Sequence, residues 1–107
     1  MNTQFSQEQF LAFALLYAAS MDGAVTPEEE ALIIEKTSEE ALTAVRTSFD
    51  NCDDADCLDT LIHYRPIYLH SATEKANLLS EMRALFQVNA RNLPIEKEML
   101  HLLDRLL

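Results

Sequence analysis

The sequence predicts an all-α fold: a compact bundle of about six helices arranged as two pseudo-symmetric helical hairpins. Three observations carry this. The 107 residues contain one glycine, Gly23, and three prolines, which leaves little material for hairpin turns between strands. Apolar residues recur at helical spacing behind a series of Ser/Thr capping signals. A long helix, a short loop and a short helix occur near the start (7–35) and again near the end (74–106). At this length the chain is one domain, 1–107, large enough to bury a real core.

Ser6-Gln7-Glu8-Gln9 forms a capping box and opens a first helix at about residue 7. Phe10 to Ala19 are all apolar, so they cover every side of that helix, and a helix apolar all round is buried all round. The helix is expected to stop at Met21-Asp22-Gly23. Thr26 then caps a second helix, with Pro27 at its first position and Glu29 completing the box. Ala31, Leu32 and Ile34 form its expected inner face, with Ile33 beside it. A third helix is expected from Thr37 or Ser38, with Ala41, Leu42, Val45 and Phe49 inward. Residues 50–56 read as an acidic loop. The fourth helix carries Leu58, Leu61 and Ile62 and should break or kink at Pro66, which removes a donor and crowds the preceding turn. Ser71-Ala72-Thr73-Glu74 opens a fifth helix with a stripe of Leu78, Leu79, Met82, Leu85 and Phe86. Leu93-Pro94 begins the last, with Ile95, Met99, Leu102, Leu103 and Leu106 inward.

Aligning Val25 with Leu93 places Glu28 on Glu96 and Glu30 on Glu98, but Asp22 on Ala90 and Gly23 on Arg91. The helical geometry of the first half repeats; its Asp-Gly chemistry does not. With only two copies this is a paired bundle rather than a solenoid.

Charge narrows the function. Eight bases against 18 acids give a net charge of −10. Residues 1–62 hold 13 carboxylates and only Lys36 and Arg46, a balance of −11, while residues 63–107 hold 5 acids and 6 bases, a balance of +1. Such a surface repels polyanions, which argues against nucleic acid, and anionic lipid is disfavoured for the same reason. It suits a basic protein partner, a cation, or head-to-tail homo-oligomers. The longest apolar run is ten residues with no cationic leader, so neither a membrane span nor a signal peptide is expected, and the chain is placed in the cytoplasm. Cys52 and Cys57 lie among aspartates, which oppose thiolate formation; they read as ordinary thiols, with a C-x4-C disulfide in an oxidising compartment as the alternative. A zinc site would need His63 and His70 as well, at no recognised spacing. His63, His70 and His101 form no catalytic pattern with their sequence neighbours, and no phosphate-binding glycine loop exists, so the chain is read as a non-enzyme.

The segment Ala18 to Glu29 carries the most specific pattern. Set on a twelve-residue calcium loop, Asp22, Gly23, Val25 and Glu29 fall on positions 5, 6, 8 and 12, whereas Ala18 and Ser20 stand where the first two carboxylates belong. Two readings follow. One is a helix-ending turn plus a helix cap; the other is a weak divalent-cation site using Asp22, Glu29 and Glu30, with no other cofactor.

The run Leu15-Leu16-Tyr17-Ala18-Ala19-Ser20-Met21-Asp22-Gly23-Ala24-Val25-Thr26-Pro27-Glu28-Glu29-Glu30 resembles the hallmark of the TerB-like (tellurite resistance protein TerB) family. That hallmark is an alanine-rich helix end, Asp-Gly, a hydrophobe two residues on, and a cluster of glutamates. The resemblance is specific over residues 11–35. It implies a two-halved helical bundle, an accessory role linked to stress such as tellurite resistance, and protein partners rather than catalysis. It also implies an acidic patch in which Asp22, Glu29 and Glu30 would meet metal. Asn89-Ala90-Arg91-Asn92-Leu93 departs from the family pattern where a second Asp-Gly would stand.

Overall fold

The computed structural model describes residues 5–20, 25–87 and 94–106. It contains six helices: α1 (Gln7–Ala19), α2 (Pro27–Lys36), α3 (Glu39–Asp50), α4 (Asp54–Tyr68), α5 (Ala72–Gln87) and α6 (Pro94–Leu106), with no strand among the described residues. The Cα radius of gyration is 12.7 Å, which matches the ~13 Å expected of a compact domain near this length.

α1 is the central rod. Every residue from Ala12 to Ala19 is buried, so no side of the helix faces water there. α3 makes the most extensive contact with it, and α2, α4 and α5 cover its remaining sides. Ala12, Ala14, Ala18 and Ala19 have no side chain beyond Cβ, which lets these neighbours approach closely. α5 buries only one stripe, Leu78, Met82, Leu85 and Phe86, and α6 packs on α5 with Leu103 fully buried. The hairpins α1–α2 and α5–α6 thus meet through their long helices. The corners at residues 21–24 and 88–93, where the halves differ in sequence, lie outside the described residues.

Local chemistry sets the helix starts. Ser6 Oγ accepts from the Gln9 amide at 3.1 Å, while Gln9 Oε1 accepts from the Ser6 amide at 2.9 Å. Thr26 and Glu29 repeat the exchange, with Pro27 at the first helical position. Of the two starts expected for α3, Ser38 is the one used: it caps α3, while Thr37 ends α2 with its hydroxyl donating to the Ile33 carbonyl at 2.6 Å. Two expected boundaries differ from those observed. The acidic stretch 50–56 is mostly helix, because Asp50 ends α3 and Asp53 Oδ1 caps α4 by accepting from the Asp56 amide at 2.8 Å. Carboxylates here face a helix start, where they are electrostatically favoured. α4 also runs through Pro66 to Tyr68. Proline sits so near the helix end that it removes one donor and its fixed φ remains helical.

Two helix faces also differ from expectation. On α2 the buried residues are Ile33 and Glu29, Ala31 is exposed, and Leu32 and Ile34 are half-buried. The capping box folds Glu29 back onto its own helix start, which satisfies its carboxylate and lets it turn inward. On α6, Leu103 is buried while Leu102 is 48% exposed. The side chains of Ile95, Met99 and Leu106 lie outside the described residues.

An aromatic cluster fastens the N-terminal segment. Tyr64 and Tyr68 stand one turn apart on α4, on a common face because the helix continues past Pro66. The Phe5 amide donates to the Tyr64 hydroxyl at 2.9 Å, and the Tyr68 hydroxyl donates to the Phe5 carbonyl. The Phe5 ring stacks on Tyr64 at 5.2 Å and meets Phe13 of α1 at 5.4 Å.

Candidate functional site

Glu29 and Glu30 lie in the first turn of α2. Asp22 is outside the described residues. Glu29 is 2% exposed and spends Oε1 on the Thr26 amide. Glu30, half-buried, is ion-paired with Arg46 of α3, and Arg46 reaches Asp50 as well at 3.5 Å. The hydrogen bond that Arg46 donates to Glu30 is the main influence raising the Arg46 pKa above its ordinary value. A group raised in this way contributes fully below its unfolded pKa, and the contribution is lost only as pH climbs through the folded one. For a guanidinium that window is strongly alkaline, so the Arg46 side of the pair is constant across neutral pH. Glu29 and Glu30 therefore have structural partners: one caps α2 and the other joins α2 to α3.

The remaining candidate ligands are dispersed. Cys52 is half-buried and Cys57 buried, and no disulfide joins them. The His63 ring is exposed and meets Tyr64 edge-on at 5.0 Å. His70 lies 3.3 Å from Glu74, which also engages Ser71 at the start of α5. His101 is exposed on α6. Among the described residues no group of three or more His, Cys, Asp or Glu is arranged to hold a metal ion.

No family model, curated protein or solved structure matches this chain.

What the fold does present is an acidic exterior. Among the described residues of 1–62, nine carboxylates are exposed: Glu8, Glu28, Glu35, Glu39, Glu40, Asp50, Asp53, Asp56 and Asp59. Both bases of that stretch are engaged within the fold, Arg46 as above and Lys36 with Glu81 of α5 at 2.8 Å. The surplus negative charge therefore faces outward with little internal compensation.

A groove that the sequence did not reveal opens on this acidic side. α3 and α4 each pack on α1 but barely on one another, so they diverge from the loop at Cys52. The space between them measures about 1000 Å³. Phe5, Phe13 and Tyr64 line its depth, and Asp56, Asp59 and His63 stand along its α4 wall. In sequence, Asp56 reads as part of an acidic loop and His63 as a residue outside any catalytic pattern, so neither points to a groove wall. Nothing local links Phe5 to Tyr64, 59 residues away. No helix among the described residues is long and apolar enough to cross a membrane.

Proposed function

We infer that this chain is a non-enzymatic protein-interaction module of the TerB-like kind, serving as an accessory in a cytoplasmic stress response such as tellurite resistance. Its partner carries a basic surface. The observation that carries the reading is the exposed, largely uncompensated acidity of the first half: nine exposed carboxylates, with Lys36 and Arg46 both turned to internal pairs. Complementary charge speeds encounter and excludes wrong partners, which is how such a surface selects. The resemblance of residues 15–30 to the TerB-like hallmark supports the family assignment, and the engagement of Glu29 and Glu30 in the fold favours a protein partner over a cation as the target.

Affinity capture from native lysate at rising salt tests this. A specifically enriched partner is expected, retained at low ionic strength and released as salt rises through the range that screens surface charge. A clean monomer with no enriched partner would overturn the reading.

A further inference from the structure

We propose that the groove between α3 and α4 is a docking site for a basic amphipathic helical segment of a partner protein, a step that rests on the interaction-module reading. Three features point to this occupant. The depth of the groove is aromatic: Phe13 and Tyr64 are buried, and Phe5 is half-buried above them. Phe13 and Tyr64 support this floor from beneath, and the half-buried Phe5 ring, stacked on Tyr64, offers the apolar contact to an occupant. The α3 wall presents Ala44 and Ser48, one turn apart and both exposed, so small side chains leave room there for an incoming backbone. The α4 wall presents Asp56, Asp59 and His63 on one face, and no Lys or Arg lines the groove.

A trough of mixed polarity between two helices, walled by carboxylates on one side and offering the Phe5 ring as its apolar contact, matches a helix with Lys or Arg along its flank and an apolar residue set to meet Phe5. Charge decides between candidate occupants. A second copy of this chain would also carry −10, so self-association here works against mutual repulsion. A basic segment gains from the same field.

The test is selection from a display library of random peptides about four helical turns long. Enriched peptides are expected to place Lys or Arg beside aliphatic residues at helical spacing. Their affinity should fall at least about tenfold with Asp56→Asn/Asp59→Asn and with Ser48→Trp, which fills the groove without changing charge. Glu28→Gln/Glu35→Gln removes the same charge from α2, which does not line the groove, and should shift affinity by less than about twofold. Bound peptide should also slow alkylation of Cys52, at the apex of the groove, in the otherwise unaltered protein. All altered residues are exposed, and an unchanged helical circular-dichroism spectrum confirms that each variant folds.

No enrichment, enrichment of acidic or uncharged peptides, or binding indifferent to Ser48→Trp would overturn the proposal. Displacement of the peptide by micromolar spermidine would overturn it in favour of a small organic cation. If these failures accompany a salt-sensitive lysate partner, only the groove assignment falls. If no partner is found either, the interaction reading falls with it.

Discussion

The two hairpins share a plan but occupy different positions in the bundle. α1 is enclosed by four neighbours and is buried at every position from Ala12 to Ala19. α5 buries one stripe and keeps Ala72, Thr73, Ala76 and Asn77 in water. Their short partners differ likewise. α2 is held by a buried Glu29 cap, by Arg46–Glu30 and by Lys36–Glu81, whereas α6 is held by Leu103 and by Lys75–Asp104 at 3.3 Å near the surface. The same long-then-short design can therefore serve as a centre or as a flank. The distinction is set by how many sides of the long helix are apolar.

Substitutions should break that comparison unevenly. The largest loss is expected for Phe13→Ala, which empties a fully buried ring position on α1 and should cost about 3–5 kcal/mol by urea denaturation. Leu102→Ala on the exposed side of α6 should stay within about 0.5 kcal/mol. Equal losses would mean that the second hairpin is as tightly enclosed as the first.

One substitution applied to both long helices sharpens the contrast. Ala14→Leu forces extra volume between α1 and its neighbours and should cost about 1–3 kcal/mol, whereas Ala76→Leu on exposed α5 should be near neutral in thermal melts. The smallest contrast is between the helix starts. Thr26→Ala removes one half of the exchange that satisfies buried Glu29 and should cost about 1–2 kcal/mol. Ser71→Ala, at an exposed start, should cost about 0.5–1 kcal/mol. The reverse order would show that the Glu29 carboxylate does not depend on Thr26.

Much of the architecture was legible because its signals are local. The capping boxes at Ser6 and Thr26 and the unbroken apolar run of α1 each follow from a few adjacent residues. Other features depend on distant contacts or on an exact register. Helix periodicity could not tell that Ile33 rather than Ala31 faces inward, because the burial of Glu29 rests on its own cap. Pro66 signals a break anywhere deeper in a helix, but two residues from the end of α4 its missing donor leaves little unmade. At the candidate site, the sequence indicated the acidic character and the roles of Glu29 and Thr26 in starting α2. It did not reveal that Arg46 pairs with Glu30 16 residues away, nor that α3 and α4 separate to leave a groove. Both depend on how helices are set against one another, which periodicity within a single helix does not encode.

The clasp of Phe5 by two tyrosines bears on the order of assembly. Its hydrogen bonds span 59 and 63 residues, so the Phe5 segment acquires these anchors only after α4 exists. Closing so wide a span is entropically expensive until intervening helices shorten it. On a translating ribosome, the Phe5 segment must wait, untethered by that clasp, until α4 has been made.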